Sequence, residues 1–423
     1  MNCSGARLAC LVALGGLAGA ISGTGHAAGF ALIEQNASGL GNAYAGAAAA
    51  AEDASTIFFN PAGLVFLPGR QLVVAGHAIR PSAEFDNDGS IAGAGKPLGG
   101  EGGDAGSWAL VPNAYLSWRL TERLAVGVGV NAPFGLKTEY DDDWMGRFQA
   151  IESEVKTINI NPSVAFKVNE RLSIGAGLNY QYAEATLTRA VNFGLGGEGK
   201  VKVEGEDDDS WGWNAGVIFS ATPDLRVGLA YRSAIRHELE GDVTFRRPAL
   251  VPSAAAPDGP AYARTTLPES ASLSVFQRFD DRWDFMGDVT WTNWSRFKTL
   301  DIYRANGTLL QSTPENWDDS WRISFGLSYR LNDAWKLRGG VAYDETPVPD
   351  DFRTARIPDN SRTWVAFGAQ WKPRANLAVD FGYAHLFIPG ASIDDNQTPV
   401  NGRLRGEYDS SVDILSAQVT YSF

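Results

Sequence analysis

The feature that most constrains this chain is a two-residue alternation of side-chain character, repeated along most of its length and joined by connections of two sorted sizes. Leu124, Val126, Val128 and Val130 alternate with Ala125, Gly127, Gly129 and Asn131. Leu172, Ile174, Ala176, Leu178, Tyr180 and Tyr182 alternate with Ser173, Gly175, Gly177, Asn179 and Gln181. Ile323, Phe325, Leu327 and Tyr329 alternate with Arg322, Ser324, Gly326 and Ser328. Period two places each set on one face of a strand. A soluble sandwich shows the same period, so the connections decide. Six short polar turns, at residues 120–123, 168–171, 222–224, 279–282, 331–334 and 372–376, recur every 41 to 57 residues. Each interval holds two strands and one longer loop rich in Gly, Asp, Asn and Pro. Six turns join twelve strands, and one strand before them (about 70–85) and one after (407–423) make fourteen. Short turns at one end, long loops at the other and an even count describe an outer-membrane β-barrel of a Gram-negative bacterium.

Two further patterns agree. Trp118, Trp283, Trp335 and Trp371 lie within a few residues of short turns, where an interfacial aromatic girdle belongs. The last strand alternates Leu415, Ala417, Val419, Tyr421 and Phe423 with Ser416, Gln418, Thr420 and Ser422, and its terminal Phe resembles the signal read by the outer-membrane assembly machinery. Composition removes the competitors. Hydrophobic residues at 44% and aromatics at 11% exclude a disordered chain. The long apolar run is confined to the N-terminus, which excludes a helical multispan protein. A net charge of −13 argues against a nucleic-acid partner, because phosphate neutralisation needs clustered Lys and Arg.

The N-terminus reads as an export signal. Arg7 precedes an uncharged run over residues 8–21, and Gly25 and Ala27 fit the small positions ahead of a cleavage point, making residues 1–27 a signal peptide. Cys3 and Cys10 both lie inside it, so the mature chain has no disulfide and no zinc–thiolate site. Residues 28–69 differ from all that follows. They are Ala-rich (Ala43, Ala45, residues 47–51), with Ser38 and Asp53 as expected helix caps, and they predict short helices. Fourteen strands enclose a lumen too wide for wall side chains to fill, so this segment is expected to plug it as a hatch, with the barrel over residues 70–423.

Three stretches, Ala28-Gly29-Phe30, residues 38–46 (SGLGNAYAG) and Asn60-Pro61-Ala62-Gly63-Leu64, resemble the hatch of the long-chain fatty acid transporter (FadL) family, which also includes channels for aromatic hydrocarbons. The resemblance continues through residues 133–140, 290–294, 344–349 and 357–359. It implies a fourteen-stranded barrel with an N-terminal hatch and passive uptake of hydrophobic molecules, long-chain fatty acids first among them. Capture at the extracellular loops, binding in the lumen and lateral exit into outer-membrane lipid at a kinked strand are its implied steps. It further implies ligand-binding roles for Phe30, Leu187 and Arg189, a hatch turn at Asn60, Pro61 and Ala62 facing the wall opening, and an exit at Pro133, Phe134 and Gly135. One family feature is missing: a second basic residue falls at Ser312 here, after Gln311. A channel for aromatic or other apolar hydrocarbons therefore stays open, as do a general porin and a structural barrel.

The residues themselves support parts of this. Pro133 cannot donate to a sheet ladder, and a closed barrel has no free edge to hide it, so residues 131–135 predict a local break in pairing. The alternation from Leu172 sends Leu187 and Arg189 to the lumen side. An inward Arg suits a carboxylate, which it grips with paired N–H donors. Pro61 biases Asn60 away from helix, predicting a turn that ends a short helix. Catalytic residues and cofactors are not expected. Only His77, His237 and His385 remain after signal removal, with no local serine pattern beside them. The acidic runs 141–143 and 206–209 lack the spacing of a calcium loop and read as solvated loops.

Overall fold

Alternation along the strands becomes a wall with two chemically different faces. In the computed structural model, which describes residues 29–423, the strands are β1 (Arg70–Asn87), β2 (Ala109–Arg119), β3 (Leu124–Asn131), β4 (Gly135–Glu139), β5 (Glu152–Lys167), β6 (Leu172–Asn192), β7 (Glu198–Thr222), β8 (Leu225–Arg232), β9 (Ile235–Arg246) and β10 (Gly259–Leu267). They continue as β11 (Ser270–Arg278), β12 (Trp283–Thr292), β13 (Thr299–Arg304), β14 (Leu309–Pro314), β15 (Ser320–Arg330), β16 (Trp335–Asp344), β17 (Arg362–Arg374), β18 (Leu377–Gln397) and β19 (Gly402–Ser422). Five barrel strands are interrupted, as β3/β4, β8/β9, β10/β11, β12/β13 and β14/β15, so the segments form fourteen antiparallel strands. Closure comes from β1 and β19, which pair from Gln71↔Ser422 to Asn87↔Gly406. The signal peptide expected over residues 1–27, with both cysteines, lies outside the described residues.

The outer face carries the apolar set. Leu178, Leu229, Leu273, Phe367 and Phe381 are exposed there, as a lipid-facing surface requires. The four tryptophans beside short turns are exposed too, and Trp335 pairs with Trp371 across adjacent strands with stacked rings 6.2 Å apart. A second outward set, Trp211, Trp213 and Trp321, marks the other interface. Beyond it the strands run on towards the long loops. Glu206–Asp209 lie within β7, Glu206 and Asp207 pairing with β6 and Asp208 and Asp209 in a register shift, and do not form the loop expected from their charge. An outward side chain above the bilayer meets water, so an acidic strand is unpenalised there.

The segment before β1 fills the lumen as a hatch of α1 (Ala37–Leu40), α2 (Ala47–Ala50), α3 (Thr56–Phe59) and a 3-10 helix (Pro61–Phe66). The caps differ from those expected. Asn36 caps α1, its Oδ1 accepting from Gly39 N at 2.9 Å. Ser38 is inside that helix and donates to Asp53 Oδ2 at 2.6 Å, while Asp53 Oδ1 accepts from the backbone N–H of Ser55 at 2.9 Å. Asp53 thus ties two hatch turns together and caps neither helix. The wall accepts the hatch backbone at glycines. A Cβ on Gly228 would sit 2.0 Å from Ala48 O, and one on Gly216 would sit 2.1 Å from Asn60 Oδ1. Polar ties complete the seat: Asn42 donates to Leu327 O at 2.7 Å, and Glu52 pairs with Lys336 at 2.8 Å and Arg338 at 2.7 Å.

Candidate ligand passage

The third barrel strand breaks where Pro133 stands. Its lower part, β3, pairs with β2 from Arg119↔Ala125 to Ala114↔Val130. Its upper part, β4, pairs only with β5, from Gly135↔Lys156 to Glu139↔Glu152. Residues 109–113 of β2 pair with β1 on one side and have no ladder to β4 on the other. The wall therefore has a seam between β2 and β4. On the opposite side the ladder to β5 lapses over residues 132–134, and Thr157 of β5 bridges that lapse, accepting from Phe134 N at 3.0 Å and donating to Phe134 O at 2.7 Å.

The first described residues occupy the inner side of this break. Leu32 N donates to Pro133 O at 2.8 Å, Gly135 N donates to Phe30 O at 3.0 Å, and Ala31 lies opposite Phe134 in an antiparallel bridge. Three residues of the N-terminal segment thus act as a short strand added to a broken one. Gly29 begins the segment at φ +59, and a Cβ there would meet the Trp317 ring at 2.7 Å. Its N–H donates to Asp359 at 3.1 Å.

Phe30 is held in an aromatic cluster. Ring centroids lie 4.8 Å away at Trp294, 5.9 Å at Trp317 and 6.0 Å at Phe134, and Phe297 closes the group. Trp294, Phe297 and Trp317 come from the interruptions between β12 and β13 and between β14 and β15. Below lies a cavity of about 860 Å³, within the size range of small-molecule sites. Its inner lining includes Phe30, Tyr44 and Phe58; its outer rim reaches Trp108 and Leu110, which are 62% and 75% exposed on the outer face. One space therefore runs from the lumen to the lipid-facing side of the seam. Glu34 also lines it, and burial pushes this carboxyl up to about 7 although Arg362 and Arg322 are near.

The structure brings Phe30, Pro133, Phe134 and Gly135 together and leaves the other expected residues elsewhere. Leu187 and Arg189 face the lumen higher up, on β6. Leu187 packs with Val201, Val243, Ala261 and Ile302, and Arg189 Nε donates to Gln311 Oε1 at 3.2 Å. Asn60, Pro61 and Ala62 do not face the seam. Asn60 ends α3 as expected, but its Nδ2 donates to Ala48 O at 2.8 Å and to Val217 O of β7 at 3.1 Å. Gly216 of β7 leaves room for Asn60 and Gly175 of β6 for Pro61 and Ala62, so the turn lies against these two strands. Ser312 points away from the lumen site and donates to Asp301 at 2.6 Å.

The histidines make no hydrolytic site. His77 Nδ1 lies 2.6 Å from Ser416 Oγ, but both are buried, neither lines the cavity, and no carboxylate orients the imidazole. His237 and His385 are each paired with an aspartate, Asp207 and Asp413. Among the described residues no group of three or more His, Cys, Asp or Glu is placed to hold a metal ion.

Comparison with known proteins gives the same architecture and extends it. Residues 18–423 match the family described as outer membrane protein transport protein (OMPP1/FadL/TodX). Outer membrane protein P1 of Haemophilus influenzae is 32% identical over 86% of this chain and 87% of its own length. The long-chain fatty acid transport protein of Escherichia coli K12 is 29% identical over 92% of this chain and 93% of its own. The crystal structure of a Pseudomonas aeruginosa FadL homologue, 28% identical, superposes with a TM-score of 0.87 over 94% of this chain and 100% of that one. The monoaromatic hydrocarbon channel CymD, at 21% identity and a TM-score of 0.66, shares the fold. Barrel, hatch, interrupted third strand and whole-length similarity converge on one assignment: this chain belongs to the OMPP1/FadL/TodX family of outer-membrane transport proteins.

Proposed function

We propose that this protein carries long-chain amphipathic molecules, fatty acids foremost, passively from the extracellular face into the outer membrane through the seam beside Pro133. The observation that carries the reading is the single space joining the lumen cavity to outward Trp108 and Leu110. An apolar tail gains about 0.8 kcal/mol per methylene on leaving water, so an opening towards lipid offers it a downhill path that a water-filled pore does not. Capture begins at the loop tips, where Leu195 and Leu250 are exposed and the two loops touch through Gly196 and Val251. The apolar inner face at Leu187 then leads down to the aromatic cluster of Phe30. Release requires Phe30, Ala31 and Leu32 to leave Pro133, Phe134 and Gly135, which opens the seam. No step makes or breaks a covalent bond, so neither cofactor nor catalytic residue enters. The similarity to a fatty acid transport protein over 92% of the chain supports the substrate class. Reconstitution in liposomes tests the reading. Labelled oleate should enter the bilayer faster with the protein present, while sugars should cause no swelling; sugar-driven swelling without oleate uptake would make the protein a general porin.

A further inference from the structure

The seam between β2 and β4 opens outwards onto two flanks of different shape. On the β5 side Val130, Ile158 and Ile160 stand out as an exposed ridge. Above that ridge Lys137 and Lys156 carry charge at the mouth of the seam, paired with Glu139 at 3.4 Å and Glu154 at 2.8 Å. On the β1 side the wall is hollow. The register sets Pro112 of β2 beside Gly76 of β1, Gly76 beside Ala417 of β19, and Ala417 beside Phe381 of β18. The alternate residues Asn113, Ala75, His77 and Gln418 are buried on the lumen side, so this row faces lipid. A Cβ added to Gly76 would meet nothing within 4 Å. Leu110 and Leu415 bound the hollow above, Val74 and Val419 bound it below, and Phe381 closes its far side, leaving an open groove of about 870 Å³.

The groove lies at the depth of the hydrocarbon layer. Gly76 follows Arg70, the partner of the girdle residue Trp118, by six residues. At about 3.3 Å per residue on a strand tilted by roughly 40°, that is about 15 Å above the girdle, near the middle of the layer. Higher on the same strands Arg80, Asp413 and His385 pair across the outer wall, with His385 Nδ1 2.9 Å from Asp413 Oδ1, and mark the boundary with water. Leu110 belongs to both spaces: it rims the lumen cavity and walls the groove. A hydrocarbon chain passing the seam therefore meets charged groups and a filled ridge on one flank. On the other it meets an apolar hollow that begins at the seam itself. Contact with the lysines and glutamates would cost them hydration, and contact with the hollow costs nothing comparable.

We propose that the hollow over Gly76 and Ala417 receives the hydrocarbon tail of the departing ligand, so that release runs round Leu110 towards β1 and β19 and away from β5. The inference rests on the reading of the seam as the exit, and it adds a direction and a landing site to that exit. The test is photolabelling of the wild-type protein in liposomes by oleate carrying a diazirine on its tail, with labelled peptides mapped by mass spectrometry. With probe delivered from water and photolysed during the first turnovers, residues 74–78 and 415–419 should take up about ten times the label of residues 158–160, a preference of about 1.4 kcal/mol. With probe already dissolved in the bilayer, the two flanks should be labelled alike. G76F, which fills the hollow, should slow oleate transfer about tenfold, with oleate binding in detergent unchanged as the sign of a folded lumen. I160W, on the other flank, should transfer at the wild-type rate. Even labelling on delivery, or a wild-type rate in G76F, overturns the proposal and leaves lateral exit standing. An equal excess with dissolved probe makes the hollow the seat of a resident lipid, and a wild-type dimer in detergent that G76F splits makes it a face between copies; either result also overturns it. A wild type that transfers no oleate removes the transport reading itself.

Discussion

Replacing Asn60 with alanine separates the hatch from the barrel energetically. The Asn60 side chain makes four hydrogen bonds: Oδ1 accepts from Ala62 N at 3.0 Å, and Nδ2 donates to Ala48 O at 2.8 Å, to Val217 O at 3.1 Å and, at 3.4 Å, to Leu229 O. The first caps the 3-10 helix, the second joins two hatch turns, and the last two tie the hatch to the wall. Ala48 and Ala62 are buried, so the truncation strands one acceptor and one donor away from water. Each stranded group costs roughly 1–3 kcal/mol, while Val217 O keeps its place in the sheet. A loss of about 3 kcal/mol in hatch docking follows, which multiplies the undocked population by roughly a hundred. No wall ladder bond is touched, so the barrel should assemble normally. Planar-bilayer recording of N60A should show brief large openings about a hundred times more often than wild type, with unchanged heat-modifiable migration on gels. N60D, which keeps the acceptor and loses the donor, should fall between. Wild-type conductance in N60A, with the barrel intact, would refute the reasoning that this turn latches the hatch.

Two carboxylates of the hatch yield predictions of opposite pH sign. Burial alone would raise Glu52, but Lys336 and Arg338 outweigh it and hold the carboxyl well below its usual range. Its contribution to hatch docking is therefore complete above about pH 4.5 and is lost as the pH falls below that; E52Q should show at neutral pH the frequent openings that wild type shows only in acid. Glu34, raised to about 7 by burial, favours the docked N-terminal segment at low pH, an advantage lost as the pH rises from about 4.5 through 7. A probe on that segment should become more accessible over this range in wild type and stay flat in E34Q, with Arg322, Arg362 and Asp344 the charged neighbours that set the slope.

The barrel was legible because two signals combine: side-chain period requires strands with one apolar face, and loops sorted by length distinguish a membrane barrel from a sandwich. The break at Pro133 was legible for a local reason, since a missing N–H cannot be repaired by tertiary context. What joins the N-terminal segment to that break was not. Phe30, Ala31 and Leu32 are too few to show a period, and their partners at Pro133 and Gly135 are fixed only once the barrel closes. The aromatic cluster was hidden similarly. Trp294 sits in an interruption without a proline and Trp317 in one that follows Pro314, and neither lies in a stretch where alternation could show that its ring turns inward. Asn60 was placed at the wrong wall because its turn is local but its seat is not: Gly175 and Gly216, more than 100 residues away, meet the turn.

The central claim is that ligand leaves sideways where the N-terminal segment meets the broken strand. Ala31 and Phe134 face each other in an antiparallel bridge, a spacing that a disulfide can span, and the mature chain expected here has no other cysteine. Oleate transfer into liposome bilayers by the A31C/F134C variant tests the claim in one comparison, oxidised against reduced. The account predicts that transfer stops when the bridge forms and returns on reduction, with oleate binding retained in both states. Transfer that continues at the reduced rate through a fully bridged protein would contradict it and send the exit elsewhere.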